Sequence, residues 1–175
     1  IPVFADIETS TYSIDPISVE KSITKRTKAI LTVNIFGHPS KLDDLKGLAD
    51  SHNIVLVEDN SQSPGIRYKD RITGTIGDIG ILSLNYHKAI QTGEGGVALT
   101  NNSEYAEHLQ LIRNHAEAVV GKLPEQKQEK LGNILGWNYR LTEIQAAIGI
   151  EQLKKLDFFT NQRQILASYL TEKLS

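Results

Sequence analysis

The sequence predicts an α/β fold with a mostly parallel sheet that has helices on both faces. Over the first 60 residues, apolar strand-like runs alternate with helix signals in the order βαβαβ. The runs are rich in Val, Ile and Leu, as is typical of parallel strands buried on both faces. Right-handed crossover helices joining such strands would cover the sheet.

The strands and helices can be placed from these runs. We expect helix starts at Pro16, capped by Asp15, and at Ser40, where Asp43 follows three residues later as in a capping box. A later helix should begin after Asn101 or Asn102. The predicted strands cover 2–7, 28–34, 53–59, 80–84 and 97–100, and the predicted helices cover 16 onward, 40–52, 102–115, 141–156 and 160 onward.

Two further features concern the surfaces of these elements. Leu42, Leu45 and Leu48 share one face of the second helix, which should pack on the sheet. Residues 117–131 are polar with weak periodicity, so we expect a mobile excursion there.

Composition excludes several classes of protein. The 175 residues are 39% hydrophobic and 23% charged, which fits one globular domain, and the net charge of −2 is well mixed, which argues against a nucleic-acid or anionic membrane partner. With no cysteine there is no disulfide, thiolate zinc site or cysteine nucleophile. The aliphatic run 54–57 is far shorter than the roughly 20 residues of a membrane span. We therefore expect a cytoplasmic protein and, since it starts at Ile1 and contains no methionine, a piece of a longer one.

Polar residues directly after the strands are the first candidates for chemistry, because ligands of open parallel sheets bind beyond the carboxyl ends of the strands. Asn34, Asp59 and Ser83 hold such positions. Asp59 either forms an Asx turn or cap, or directs its carboxylate at a cationic ligand. Lys88, just past a strand end and before a glycine-rich turn, is either a solvated lysine or a nucleophile that reacts with a carbonyl.

Other patterns are weaker. The glycines of 74–80 do not match the dinucleotide-binding fingerprint and should shape a turn into a strand. The five histidines lack paired metal-site spacing, so we expect no metal. Ser83, His87 and Asp59 lack the elbow motif and chain order of a hydrolase triad. Trp137 is either core packing at a helix entrance, the commoner case, or part of a binding edge.

Five motifs occur in a fixed order along the chain: VEDNSQSPG, GDIGILSLNYHK, GEGGVALT, RNH and GWNYRLTEIQAAIG. With these motifs, the chain from Pro2 to about Leu156 resembles the DegT/DnrJ/EryC1/StrS family of pyridoxal-phosphate-dependent sugar aminotransferases. The resemblance implies the large domain of the aspartate-aminotransferase-like (fold type I) pyridoxal-phosphate enzymes. Residues 1–156 would be the central part of that cofactor-binding domain, and 157–175 a helix leading to a C-terminal small domain.

The resemblance assigns roles around pyridoxal 5'-phosphate. It implies that Asp59 pairs with the pyridine nitrogen of the cofactor and that Gln62 lies beside the ring near its phenolic oxygen. Ser83 would bind the cofactor phosphate. Lys88 would hold the cofactor covalently and, once displaced by the amino donor, carry the proton between the substrate carbon and the cofactor.

The NYR segment carries a further set of implied roles. Asn138 would reach the cofactor phosphate of the partner subunit, which implies a homodimer with shared sites. Tyr139 and Arg140 are candidates for substrate binding. Asn34 is another, since it stands where the family commonly has a histidine.

The implied reaction moves an amino group from a donor, typically glutamate, to a keto group of a nucleotide-linked sugar for polysaccharide, lipopolysaccharide or amino-sugar biosynthesis. Two alternatives stay open: a pyridoxal-phosphate-dependent sugar dehydratase, whose relatives carry histidine in place of the lysine, and a non-catalytic binding module. Lys88 favours transamination. The segment that binds the cofactor phosphate in the family would precede Ile1, and the family gives no role for His87.

Overall fold

A computed structural model describes residues 1–117 and 134–175 of the chain. The helices are α1 (Pro16–Ser22), α2 (Leu42–Ser51), α3 (Ser103–Arg113), α4 (Glu143–Leu153) and α5 (Leu156–Leu174). The strands are β1 (Ala29–Val33), β2 (Val55–Asp59), β3 (Arg67–Tyr68), β4 (Arg71–Ile72), β5 (Ile79–Ser83) and β6 (Gly96–Leu99). A four-stranded sheet has the strand order β1-β2-β5-β6, and β3 and β4 pair separately.

The direction of the strands confirms the mostly parallel sheet. β1 is parallel to β2 and β2 to β5, whereas β6 returns antiparallel to β5. The parallel strands therefore end at one edge, which we call the carboxyl edge, and the segment 84–95 that joins β5 to β6 begins there as well. Residues that follow β1, β2 and β5 are collected at this edge.

One face of the sheet packs against α1 and α2. The core cluster contains Val19 of α1, Leu45 and Ala49 of α2, and Ile30 and Leu56 of the sheet. Leu45 is fully buried, as its place in the apolar stripe predicts. Burial of each such aliphatic side chain contributes about 1.5–3 kcal/mol, so this cluster fixes β1 and β2 under the two helices.

The opposite face differs from the prediction that both faces are buried. Leu31 is 57% exposed, Val33 36% and Ile81 38%. Side chains alternate along a strand, so these residues point away from the face that carries Ile30 and Leu56. The aliphatic side chains of this face are therefore less buried than those under α1 and α2.

One predicted strand and one predicted helix cap were wrong. Residues 2–7 form no strand and contribute only the isolated bridge Ile7–Ile14, because no neighbouring strand lies beside them in the described chain. α2 begins at Leu42 and its N-cap position, Lys41, makes no side-chain cap bond. The Ser40 hydroxyl instead accepts a hydrogen bond from Thr32 Oγ1 at 2.7 Å and donates to the Val33 carbonyl, so tertiary bonding replaces the expected cap.

The other predicted helix starts agree with the structure. Asp15 accepts hydrogen bonds from the first turn of α1, and Asn102 does so for α3. α4 carries a capping box between Thr142 and Gln145, and α5 begins at Leu156, a few residues before the predicted Thr160. The predicted excursion at 117–131 lies, apart from Glu117, outside the described residues.

Among the described helices, none is long and apolar enough to pass through a membrane.

Candidate functional site

A cleft of about 430 Å³ opens at the carboxyl edge of the sheet. Its volume is within the range of small-molecule sites. We call it the site cleft. Its walls come from the segments that follow the three parallel strands and from one side of α5. They are Phe36 and Gly37 after β1, residues 61–64 and Ile66 after β2, residues 87–89 after β5, and Thr160, Arg163, Gln164 and Ala167 of α5.

Asp59 is the last residue of β2 and is half-buried. Its Oδ1 accepts a hydrogen bond from the Ser61 backbone N–H at 3.0 Å, which is the Asx turn expected of such a residue. Its Oδ2 has no hydrogen-bond partner within the described chain. The Asx turn therefore fixes the carboxylate and leaves one oxygen for a ligand.

Lys88 lies in the segment that joins β5 to β6 and is half-buried on the wall of the site cleft. Its backbone N–H donates to the Asn85 carbonyl at 2.9 Å, and the neighbouring His87 N–H donates to Asn85 Oδ1 at 3.1 Å. No described carboxylate pairs with the ammonium group. A turn organised by Asn85 thus places Lys88 on the wall of the site cleft.

Asn85 is a residue that sequence reasoning missed. Its Nδ2 donates to Glu94 Oε1 at 2.8 Å, so it ties the start of the segment to its end. Asparagine in a polar turn is the signal that could have identified it. Buried Leu84 and Ile90 hold the same segment on the body of the protein.

Ser83 is the last residue of β5. Asp59 is paired with Ile81 in the sheet register, and side chains alternate along a strand, so Ser83 lies on the same face as Asp59. Its Oγ accepts from the Asn85 N–H at 3.3 Å. The hydroxyl hydrogen remains free to donate to an anion. Asp59, Ser83 and Lys88 are thus brought to one edge, although only Lys88 lines the site cleft.

Gln62 lines the site cleft beside Phe36. Its Oε1 accepts from the Phe36 N–H at 3.1 Å. Phe36 has φ of 56°, in the left-handed region that a non-glycine residue occupies at a cost of about 1–3 kcal/mol. Gln62 therefore stabilises an unfavourable turn and keeps its amide N–H groups available for a ligand.

Asn34 is fully buried behind the edge rather than open to the site cleft. Its Nδ2 donates to Glu58 Oε2 at 3.2 Å and to Asn60 Oδ1 at 3.1 Å, while its Oδ1 accepts from the Ser40 N–H at 2.9 Å. All polar atoms of its side chain are therefore engaged within the protein. Its expected contact with a substrate stays a prediction, and the observed bonds give it a structural role.

Glu58, the neighbour of Asp59, has a structural role that the sequence did not indicate. Its carboxylate is fully buried and accepts backbone N–H groups from Gly74 at 2.7 Å, Ile76 at 2.7 Å and Gly77 at 2.6 Å. A buried carboxylate is tolerated when hydrogen bonds satisfy it in this way. Glu58 thereby anchors the turn that leads into β5 and so positions Ser83 and the segment after it.

Helices α4 and α5 complete the site from the other end of the chain. Gln145 of α4 donates through Nε2 to the Glu94 carbonyl at 2.9 Å, which fixes the end of the lysine-bearing segment. Leu156, the first residue of α5, packs over Gly65, where an added Cβ would come within 2.9 Å of it. This contact places one side of α5 over the site cleft.

The NYR segment lies apart from the site cleft in this chain. Asn138, Tyr139 and Arg140 are exposed and do not line it. Asn138 forms an isolated antiparallel β-bridge with Asn114, and the Arg140 guanidinium donates to Asn114 Oδ1 at 2.8 Å. Trp137 is 53% exposed, so the packing interpretation was wrong, and its ring stacks on Tyr139 with centroids 6.1 Å apart.

A profile of the DegT/DnrJ/EryC1/StrS aminotransferase family matches residues 1–175. The chain belongs to this family. The resemblance of the motifs is thereby confirmed over their full extent. The motifs that contain Asp59, Ser83 and Lys88 all lie inside the matched region.

Individual family members match over nearly the whole chain. GDP-perosamine synthase of Escherichia coli O157:H7 is 32% identical over 99% of this chain and 46% of its own length. The structure of Helicobacter pylori PseC, an aminotransferase involved in pseudoaminic acid biosynthesis, superposes with a TM-score of 0.79 at 35% identity, covering 90% of this chain and 41% of that one.

A third relative is a dehydratase. The E. coli GDP-4-keto-6-deoxy-D-mannose-3-dehydratase with bound hydrated pyridoxal phosphate superposes with a TM-score of 0.82 at 36% identity, covering 97% of this chain and 46% of that one. These neighbours confirm the fold type I assignment of the family. The chain spans about half the length of the curated relatives it matches.

Proposed function

We propose that residues 1–156 are the central part of the cofactor-binding domain of a pyridoxal-phosphate-dependent aminotransferase, and that 157–175 lead to a C-terminal small domain. The complete protein would move an amino group from an amino acid, glutamate in the first instance, to a nucleotide-linked keto-sugar in the cytoplasm. The observation that carries this proposal is the position of Lys88 on the wall of the site cleft, at the same carboxyl edge where β2 ends in Asp59 and β5 in Ser83, in a chain of this family.

The side chains at the carboxyl edge fit the chemical groups of pyridoxal phosphate. Asp59 Oδ2 has no partner within the described chain and suits a protonated ring nitrogen. Ser83 can donate its hydroxyl hydrogen to a phosphate oxygen, and Gln62 can donate to the phenolic oxygen. When bound, the cofactor supplies an electron sink for negative charge on the reacting carbon.

The chain's own residues then divide the work. Asp59 would hold the proton on the pyridine nitrogen, since an anion beside it favours the charged form. Lys88 would hold the cofactor through Nζ. Once its amine is free, the same Nζ would carry the proton between the donor's Cα and the cofactor.

Absorption spectroscopy of the complete protein tests the role of Lys88. We expect an absorption band from the lysine-bound cofactor that borohydride bleaches, and loss of that band in Lys88→Ala. Lys25→Ala removes an exposed lysine from the turn before β1 and should keep the band. Persistence of the band in Lys88→Ala would show that another residue binds the cofactor.

We propose that the protein is a homodimer in which Asn138 completes the partner's site. Its exposure, and its position outside the site cleft of its own chain, support this. Coexpressed Lys88→Ala and Asn138→Ala subunits, each inactive alone, would then form mixed dimers with one intact site. Random pairing should restore about a quarter of wild-type activity. If each site were built from one chain, no activity would return on mixing.

A sugar dehydratase is the second candidate, because a dehydratase is among the most similar structures. Lys88 favours transamination, since its amine can carry out both the covalent step and the proton transfer. Incubation of the complete protein with glutamate and a panel of nucleotide keto-sugars separates the two. An amino-sugar supports transamination, whereas a deoxy-sugar without added nitrogen supports dehydration.

A further inference from the structure

We propose that Arg163 of α5 is an anion-binding residue of the site cleft and recognises a carboxylate or phosphate group of a substrate. This deepens the proposed function and rests on it for the identity of the substrates. The resemblance to the family concerned residues up to about Leu156, so the role of Arg163 comes from the structure alone. Its position on the cleft wall is the starting observation.

The composition of the cleft wall favours an anion. Lys88 and Arg163 carry positive charge, His87 adds an imidazole ring, and no Asp or Glu is among the described residues that line the site cleft. The remaining polar groups, among them Gln62, Thr160 and further amide and hydroxyl groups, are neutral hydrogen-bond donors or acceptors. A cleft lined by one sign of charge concentrates ligands of the opposite sign.

Arg163 also lacks a partner of its own. Residues three and four positions away on a helix are its neighbours, and here they are Phe159, Thr160, Leu166 and Ala167, none of them acidic. Within residues 1–117 and 134–175, no carboxylate forms an ion pair with it. With Lys88 assigned to the cofactor, Arg163 is the remaining Lys or Arg among the described residues that line the site cleft.

Arginine suits such a role because its planar guanidinium can donate two parallel hydrogen bonds to a carboxylate or a phosphate. The packing of Leu156 over Gly65 holds the start of α5 against the segment after β2, seven residues before Arg163. Arg163 is exposed and is thereby carried by α5 to the wall of the cleft that Lys88 also lines. A substrate bound at Lys88 would extend its charged group toward α5.

Binding to the complete, cofactor-loaded protein tests the proposal without requiring turnover. The probes are glutarate, for the carboxylates of an amino donor, and GDP and dTDP, for nucleotide phosphates. The variant is Arg163→Gln, which preserves helix propensity. Lys173→Gln removes a positive charge from the same helix outside the site cleft and is the matched control.

We expect Arg163→Gln to weaken one class of probe by tenfold or more, since charge-assisted hydrogen bonds are the strong ones. Lys173→Gln should change neither class. Loss of glutarate binding assigns Arg163 to the donor, and loss of nucleotide binding assigns it to the sugar nucleotide. Unchanged affinity for all three probes, with cofactor loading intact, overturns the proposal.

Kinetics separates this proposal from the function beneath it. If amino transfer occurs, Arg163→Gln should raise the KM of the corresponding substrate at least tenfold while the absorption of the bound cofactor stays as in the wild type. If no amino transfer occurs in the wild type, the proposed function fails, yet the binding comparison still decides the role of Arg163.

Discussion

Replacement of Glu58 by Gln should destabilise the protein severely although the two side chains have nearly the same shape. Each carboxylate oxygen of Glu58 accepts two hydrogen bonds: Oε1 from the N–H groups of Ile76 and Gly77, and Oε2 from Gly74 N–H and Asn34 Nδ2. Glutamine replaces one of these oxygens with an NH₂ group, which donates and does not accept. In either orientation of the amide, two N–H groups of the protein therefore lose their acceptor.

The magnitude follows from the unsatisfied groups. A buried donor without an acceptor costs about 1–3 kcal/mol, so two of them cost about 2–6 kcal/mol. The stability of a whole domain is about 5–15 kcal/mol. We therefore expect Glu58→Gln to remove a large share of the free energy of unfolding and to release the turn that leads into β5.

Urea unfolding and hydrogen exchange measure these effects in the complete protein. Glu58→Gln should lower the unfolding midpoint, and the amides of Gly74, Ile76 and Gly77 should exchange at least tenfold faster. Glu20→Gln changes an exposed glutamate of α1 and should alter stability by no more than about 0.5 kcal/mol. Equal stability of the two variants, with unchanged exchange at 74–77, would refute the role assigned to Glu58.

Two further predictions concern the β3–β4 hairpin and a close backbone contact. The hydrogen bond from Lys69, helped by Arg71, holds the pKa of Asp43 below its usual value. The ion pairs of Asp43 in α2 with Lys69 and Arg71 of the hairpin should therefore weaken only as the pH falls through that lowered pKa. In an NMR titration, the midpoint of Asp43 should be higher in Lys69→Gln than in the wild type. An unchanged midpoint would show that the pairing is not maintained in solution. At Gly80 a Cβ would lie 1.8 Å from the Gly74 carbonyl oxygen, so Gly80→Ala should cost about 3 kcal/mol or more in a thermal unfolding assay. Gly47→Ala, in open space on α2, should instead stabilise by about 0.5–1 kcal/mol, and similar melting points for both variants would contradict this reading.

The features that could be predicted from the sequence are those set by residues close together along the chain. Asp15 and Asn102 cap their helices because an N-cap bond needs only the first turn of the helix. The apolar runs became β1, β2 and β5, and the site cleft lies at the carboxyl edge, where the rule that ligands bind beyond strand ends places a ligand. Gln62 was assigned by the resemblance to the family rather than by the strand pattern, and it lines the site cleft together with Lys88.

The features that were missed depend on contacts between distant parts of the chain. The partners of Glu58 lie 16, 18 and 19 residues further along the chain, and its burial could not be read from the strand pattern. Ser40 has the sequence of an N-cap, but its hydroxyl bonds Thr32 in the neighbouring strand. Arg163 reaches the site cleft only because α5 packs over Gly65. Local patterns contain no information on such contacts.

The sheet face that carries Asp59 has a consequence for the thermodynamics of ligand binding. In the register of the sheet, Asp59 lies between Val33 and Ile81, and both of these side chains are more than a third exposed. A planar cationic ring held by the carboxylate would therefore cover hydrocarbon on either side. Its binding should combine the salt dependence of an ion pair with the negative heat-capacity change of apolar burial. Calorimetry at several temperatures and salt concentrations would detect both signatures in one ligand.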